Sequence, residues 1–154
     1  MALFSIVVPV YNVERYLDEC LQSIVPQIIN SEFEAEVNLV DDGATDSSGV
    51  ICDQYAEKYP GFVKVFNKEN EGSLQTRRYG LSKATGKYII NCDSDDKLFP
   101  TALNELYNIV YKTNADVVIY NLEILKDFGK TDVFFNNVFS ENIIEEIDKK
   151  DVIR

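Results

Sequence analysis

Hydrophobic and polar positions along the chain alternate between short β-branched runs and longer stretches with an apolar residue every three or four positions. The first run is SIVVPV, and the next stretch has apolar side chains at Leu17, Cys20, Leu21, Ile24 and Ile28. The run predicts a buried strand, and the spacing after it predicts an amphipathic helix. Asn12 precedes this helix and is its predicted N-cap. The chain is therefore expected to open as strand, turn and helix.

The same alternation repeats along the next hundred residues. Further predicted strands are EVNLV, FVKVF, KYIINC and ADVVIY. Helices are predicted to begin near Val50, to run from about Leu74 to Ala84, and to begin at Pro100, and Gly86 is the stop signal of the second of these. Strands that alternate with helices predict an α/β fold with a mostly parallel sheet.

From Asn121 onward the pattern weakens. LEILKDFGKTDVFF predicts a hairpin around Phe128 and Gly129, and SENIIEEIDKKDVIR predicts a short acidic helix. The regular strand and helix alternation therefore belongs to the first 120 residues.

Composition limits the class of protein. The 154 residues are 45% hydrophobic and 12% aromatic, which is typical of a globular domain. No apolar run approaches the roughly 18 to 20 residues that a membrane span requires. Fifteen Lys and Arg against 26 Asp and Glu give a net charge of −11, which argues against nucleic acid as a partner. A small phosphorylated ligand remains compatible with this net charge, because a metal ion or an arginine can make the electrostatic potential positive within one pocket.

Three cysteines, Cys20, Cys52 and Cys92, lie 32 and 40 residues apart. This spacing lacks the close pairs that zinc or redox motifs need, so buried thiols are expected. No charged segment followed by an apolar one opens the chain, and a reducing cytoplasm is the expected compartment.

Polar clusters follow three of the predicted strands, in VPVYN, VDDGATD and CDSDD. In an open parallel sheet, ligands bind beyond the carboxyl ends of the strands. Adjacent strand ends would bring Tyr11, Asp42 and the acidic triplet Asp93, Asp95 and Asp96 around one crevice. Hard oxygen donors in a chain without histidine favour Mg²⁺ or Mn²⁺ over zinc.

Each cluster also has an ordinary structural interpretation. The acidic triplet can cap the helix at Pro100, Asp41 and Asp42 can form an Asx turn, and Tyr11 can belong to the core. The arginines of the third helix can be solvated charges. These interpretations do not explain why the four features occur together in this order.

The segments SIVVPVYNVERYLDECLQSI, LVDDGATDSS and NEGSLQTRRYGLSKATGKYIINCDSDD together resemble the amino-terminal half of the family-2 glycosyltransferases, over roughly Ser5 to Thr113. The resemblance implies the GT-A fold, a Rossmann-like three-layer sandwich, with residues 1–120 as a nucleotide-sugar-binding core. Residues 121–154 would be the truncated start of an acceptor-side half. The implied activity is a hexosyltransferase of polysaccharide biosynthesis.

The resemblance assigns seven positions to the nucleotide sugar: Pro9, Tyr11, Glu14, Asp42, Asn70, Arg77 and Asp93. The loop after the first strand would lie against base and ribose, where an aromatic ring can stack and a carboxylate can accept from a sugar hydroxyl. Asp42 would accept a hydrogen bond from uracil N3–H. Asn70 and Arg77 would lie near the nucleotide and its phosphates, and Arg78 departs from the asparagine that the family often has.

Asp93 and Asp95 match the family's DxD motif, which implies a Mn²⁺ or Mg²⁺ site with Asp95 as the direct ligand and Asp96 as a third metal residue. The cation would stabilise the charge on the departing nucleoside diphosphate. Inverting transfer also needs a general base, which the family carries in its acceptor half. No base is assigned, because the candidate carboxylates match no family motif: Glu141, Glu145 and Glu146.

The expected donor is a nucleotide-diphosphate sugar, with UDP-sugar favoured, and the expected acceptor is a glycan or a lipid-linked glycan. Self-association through an uncovered sheet edge and attachment to the inner face of the membrane are further expectations. Two alternatives stay open: a non-catalytic nucleotide-sugar-binding module, and a phosphoacceptor receiver domain. A receiver domain would carry its acidic pair after the first strand, whereas here the pair follows the second.

Overall fold

The computed structural model describes residues 2–119 together with residues 123–125 and 131–133. One compact unit ends at Ala115 and a second begins at Asp116. The strands of the first unit are β1 (Phe4–Val10), β2 (Ala35–Asp41), β3 (Val63–Asn67) and β4 (Tyr88–Asn91). Its helices are α1 (Leu17–Ile29), α2 (Ser48–Lys58), α3 (Ser73–Lys83) and α4 (Ala102–Thr113).

The four strands form one parallel sheet in the order β3-β2-β1-β4. In the register of this sheet, Val7 of β1 pairs with Asn38 of β2 on one side and with Asn91 of β4 on the other. The two central strands are buried along almost their whole length. Central parallel strands have both faces covered, which explains why β1 is a nearly continuous apolar run.

Helices cover both faces of the sheet. On α3, Gly80 lies against Val7 and Val40, and on α2, Gly49 lies against Asp41. Val40 and Asp41 are consecutive in β2 and point to opposite faces, so α3 and α2 are on opposite sides. Helix α1 contacts both α2 and α4, which completes the second helical layer. The predicted α/β three-layer sandwich with a parallel sheet is confirmed.

The end of α3 differs from the prediction in one respect. The helix ends before Ala84, which is extended, and Gly86 does not act as its stop signal. A Cβ on Gly86 would lie 2.6 Å from the backbone nitrogen of Ser5 and 2.7 Å from the carbonyl carbon of Phe4. Gly86 is therefore required for close passage of the chain over the start of β1.

A buried carboxylate joins the amino ends of the central strands. Glu36 accepts hydrogen bonds from Ser5 Oγ at 2.6 Å, from the Thr85 N–H at 2.7 Å and from Lys64 Nζ at 2.7 Å. Burial opposes its ionisation, but these donors outweigh burial and lower the pKa of Glu36 to about 2. The Glu36 carboxylate thereby ties β1, β2 and β3 together at this end of the sheet.

The predicted fifth strand, ADVVIY, is wrong for the residues that the structure describes. Residues 115–119 are irregular, and Val117 and Ile119 are exposed. A β-branched run forms a strand only when a neighbouring strand pairs with it, and no described residue pairs with this one.

The second unit contains two paired strands within the segment predicted to form a hairpin. Strands β5 (Glu123–Leu125) and β6 (Thr131–Val133) are antiparallel, with Leu125 opposite Thr131. The predicted turn at Phe128 and Gly129 and the predicted acidic helix SENIIEEIDKKDVIR lie outside the described residues.

All three cysteines are buried free thiols, as predicted. Within the described part of the chain, no helix is both long and apolar enough to cross a membrane.

Candidate functional site

A cavity of about 350 Å³ lies at the carboxyl edge of the sheet, where the loops after the parallel strands meet. Seven residues singled out in the sequence line it: Pro9, Tyr11, Asp42, Asn70, Arg77, Asp93 and Asp95. The structure therefore brings the three polar clusters together at one place. Glu14 and Asp96 are not among the lining residues.

Asp42 is the most enclosed carboxylate of the cavity, with only 2% of its surface exposed. Its Oδ1 accepts from Lys68 Nζ at 2.5 Å and from the Glu71 N–H at 3.0 Å, and its Oδ2 accepts from the Gly72 N–H at 2.9 Å. Burial alone raises the pKa of Asp42, but these donors, Lys68 foremost, hold it below its usual value. Asp42 is thus an ionised acceptor at the cavity wall.

The amino end of α3 supplies cavity residues that the sequence interpretation missed. Gly72 is the N-cap of this helix, with φ of 87°, and Gly72, Ser73 and Thr76 all line the cavity. A residue in this left-handed region is normally glycine, so the glycine that opens a predicted helix was a usable signal. Ser94, between the two aspartates of the DxD motif, is a further lining residue.

Tyr11 is 47% exposed and lines the cavity, so the interpretation of Tyr11 as a core residue is wrong. The next residue, Asn12, has φ of 52° and accepts from the Thr45 N–H at 2.8 Å through its Oδ1. Helix α1 starts only at Leu17, with Tyr16 at the N-cap, so the prediction of Asn12 as N-cap is also wrong. Asn12 instead joins the loop that carries Tyr11 to the loop after β2.

Glu14 belongs to the same junction between loops. Its Oε2 accepts from the Ser47 N–H at 2.9 Å, and its own N–H donates to Asp46 Oδ2 at 3.0 Å. Ser47 is the N-cap of α2 and makes no side-chain capping bond. Because helix N-termini carry unpaired N–H groups, a nearby carboxylate is a favourable acceptor for them. The structure therefore places Glu14 at the start of α2 rather than at the cavity wall.

The three aspartates of the acidic segment after β4 differ in their contacts. Asp93 Oδ1 accepts from Arg77 Nη1 at 2.5 Å, and this pairing raises the pKa of the arginine. Asp95 is exposed, and its carboxylate makes no hydrogen bond or ion pair with any described residue. Burial, together with Asp95 and Asp93, raises the pKa of Asp96.

Within the described residues, no three acidic, histidine or cysteine side chains converge closely enough to hold a metal ion. Asp93 is directed to Arg77, and the three carboxylates repel one another. The donor set nevertheless fits a hard cation, because Asp93 and Asp95 both line the cavity and supply only oxygen. Mg²⁺ and Mn²⁺ are commonly held by one or two carboxylates and completed by substrate phosphates.

The chain matches the family model described as Glycosyl transferase family 2 over residues 5–150. It is 42% identical over 120 residues to the glycosyltransferase GlyG of Streptococcus pneumoniae, which covers 77% of this chain and 38% of GlyG. It is 35% identical over 148 residues to the minor teichoic acid biosynthesis protein GgaB of Bacillus subtilis, which covers 96% of this chain and 16% of GgaB. The chain thus spans less than half the length of either relative.

Among solved structures, the fold is similar to that of residues 1–349 of TarS from S. aureus in complex with UDP-GlcNAc. The TM-score is 0.63 and the sequence identity 31%, over 72% of this chain and 32% of that chain. The matched part of this chain therefore corresponds to about a third of that longer chain.

Proposed function

The chain belongs to glycosyl transferase family 2 and has the GT-A fold, and from this we propose that it forms the donor site of a glycosyltransferase. The donor is a nucleotide-diphosphate sugar, and a UDP-sugar is the favoured choice. The acceptor is a glycan or a lipid-linked glycan, and transfer inverts the anomeric centre. The observation that carries the proposal is the single cavity in which Tyr11, Asp42, Arg77 and the DxD aspartates meet.

The base and ribose occupy the part of the cavity formed by the loops after β1 and β2. Tyr11 presents an exposed ring on which a base can stack. Asp42 is ionised and buried, and it can accept the N3–H of uracil. A carboxylate already fixed by three donors needs no reorientation when the base arrives.

The diphosphate lies towards Arg77 and the acidic segment. A divalent cation held by Asp95 and Asp93 would act as a Lewis acid on the leaving nucleoside diphosphate. Arg77 holds Asp93 in place and presents guanidinium N–H groups that suit phosphate oxygens. The carboxylates weighed as general base, Glu141, Glu145 and Glu146, lie outside the described residues.

We expect UDP to raise the unfolding midpoint more than ADP or NAD does, and we expect the increase to require Mn²⁺ or Mg²⁺. Selective binding to the folded state stabilises it by mass action, by about 2.7 kcal/mol at a ligand concentration of 100 Kd. A thermal-shift series with each nucleotide, with and without a chelator, measures this. Equal shifts for all nucleotides that are insensitive to the chelator would exclude the proposed donor site.

Replacement of Tyr11 by alanine should weaken UDP binding about tenfold, the lower part of the range for losing one stacked base. The unfolding midpoint should change little, because Tyr11 is already about half exposed. Tyr16→Ala is the matched control, since Tyr16 is 54% exposed on the same loop and does not line the cavity. Calorimetric titration of both variants with UDP tests the role, and equal affinities in the two variants would contradict it.

A further inference from the structure

Tyr11 lies between two contacts that join its loop to the loop after β2. On one side, the Val10 carbonyl oxygen accepts from the Asp42 N–H at 2.9 Å. On the other side, Asn12 Oδ1 accepts from the Thr45 N–H at 2.8 Å. Val10, Tyr11 and Asp42 line the cavity, whereas Asn12 and Thr45 do not. The two loops are therefore joined directly beside the residues that form the cavity wall.

Asn12 contributes both its side chain and its backbone to this junction. Its Oδ1 also lies 3.3 Å from Thr45 Oγ1 and 3.4 Å from the Asp46 backbone nitrogen, and both groups are hydrogen-bond donors. The backbone of Asn12 is left-handed, with φ of 52°, a conformation that asparagine tolerates better than most residues. One residue thus supplies the turn after Tyr11 and the acceptor that fixes this turn to the neighbouring loop.

The junction also has contacts that do not involve the Asn12 side chain. The Val13 N–H donates to Ser48 Oγ at 2.9 Å, and the Glu14 N–H donates to Asp46 Oδ2 at 3.0 Å. We therefore expect the chain to fold, and the two loops to stay attached, when the Asn12 side chain is removed. The contact that is lost is the one that immediately follows Tyr11.

From these contacts we infer that Asn12 is a positioning residue for nucleotide binding, because it fixes the backbone of Tyr11 relative to Asp42 before the base arrives. The inference rests on the proposed function, in which Tyr11 stacks on the base and Asp42 accepts its N–H. A site that is already ordered loses less conformational entropy when the ligand binds. Without the Asn12 side chain, the loop that carries Tyr11 is ordered only at the binding step, and binding is weaker.

Asn12→Gly tests this role, because glycine adopts the left-handed conformation readily but has no side-chain acceptor. UDP affinity should fall about three- to tenfold, the scale for losing one hydrogen bond. Asn12→Asp keeps an oxygen acceptor at this position and should restore most of the wild-type affinity. Calorimetric titration with UDP in Mn²⁺ measures all three chains.

Asn114→Gly is the matched control for this substitution. Asn114 also has a left-handed backbone, with φ of 49°, and its Oδ1 accepts from Lys87 Nζ at 3.1 Å. It is the C-cap of α4 and does not line the cavity. The control therefore loses a side-chain acceptor at a left-handed position, and its UDP affinity should equal that of the wild-type chain.

Two measurements separate the positioning of Tyr11 from a general loss of structure. In a Tyr11→Ala background, Asn12→Gly should lower UDP affinity by less than about twofold, because the group that Asn12 positions is absent. Inorganic pyrophosphate has no base, so in Mn²⁺ the wild-type chain and Asn12→Gly should bind it equally. An equal loss for UDP and pyrophosphate, or a full loss in the Tyr11→Ala background, would overturn the role of Asn12 while leaving the donor site standing.

A further measurement needs no variant and applies even if Asn12→Gly does not fold. Hydrogen exchange at the Thr45 amide should already be slow in the wild-type chain without UDP, because this N–H is bonded to Asn12 before the ligand binds. Fast exchange that slows only when UDP is added would show that the junction forms with the ligand, which contradicts the inference. Absence of UDP binding by the wild-type chain would instead overturn the proposed function and the inference with it.

Discussion

Replacing Gly86 with alanine is expected to lower the free energy of unfolding by roughly 2 to 3 kcal/mol, the upper range for forcing an extra carbon into a packed site. The added Cβ would lie 2.6 Å from the Ser5 nitrogen and 2.7 Å from the Phe4 carbonyl carbon. Both neighbours are backbone atoms of the central strand β1, which cannot rotate away as a side chain could. Ser5 Oγ also accepts from the Gly86 N–H at 2.8 Å, so displacement would strain that bond too.

Gly61→Ala is the matched control for this prediction. Gly61 lies in the loop between α2 and β3, and nothing is within 4 Å of the position that its Cβ would take. Its replacement should change stability by less than about 1 kcal/mol. Chemical denaturation of both variants gives the comparison. Equal unfolding free energies for Gly86→Ala and Gly61→Ala would show that the chain can move away from β1 at little cost.

The four strands of the sheet could be predicted from the sequence because the apolar pattern of each strand is local. The run SIVVPV and the spacing of Leu17, Cys20 and Leu21 specify a strand and a helix with little influence from the rest of the chain. The run ADVVIY is also rich in β-branched residues but does not form a strand over residues 115–119. Strand formation depends on a partner elsewhere in the chain, and composition does not report whether one is available.

The sequence was sufficient to predict which loops form the candidate site. Strand ends of a parallel sheet meet at one edge, so the convergence of Tyr11, Asp42 and Asp93 followed from topology alone. The direction of individual side chains did not follow. Glu14 is close to Tyr11 in sequence, yet it contacts the Ser47 N–H because the start of α2 needs an acceptor. A contact of this kind, between the loop after β1 and the start of α2, is seen only when both segments are placed in the structure.

The contact between Lys68 and Asp42 also could not be predicted from the sequence. In the sequence Lys68 is one of several charges in NKENEGS and matches no motif. Its importance arises from its reach to Asp42, which is 26 residues away. The charge state and free lone pairs of a buried carboxylate are set by such partners, so a motif can name the acceptor without revealing how much of it is available to a ligand.

Asp95→Asn is expected to weaken metal-dependent UDP binding by about 10- to 100-fold, the scale for losing a charged partner. Asp95 lines the cavity and makes no hydrogen bond or ion pair with a described residue, so its charge is available to a cation. For the same reason the unfolding midpoint should not fall. Removal of one of three clustered negative charges relieves repulsion with Asp93 and Asp96 rather than breaking a contact.

Calorimetric titration with UDP, in Mn²⁺ and in chelator, separates the contribution of the metal from that of the nucleotide alone. Asp53→Asn is the charge-matched control, because Asp53 is exposed on α2 and outside the cavity lining. In Mn²⁺, Asp95→Asn should lose affinity and Asp53→Asn should not, while in chelator the two should bind UDP equally. A loss of the same size in chelator would show that Asp95 contacts the nucleotide directly. If Asp95→Asn binds UDP in Mn²⁺ with wild-type affinity, Asp95 is not a metal ligand. Asp93, released from Arg77, would then be the principal carboxylate of the metal site.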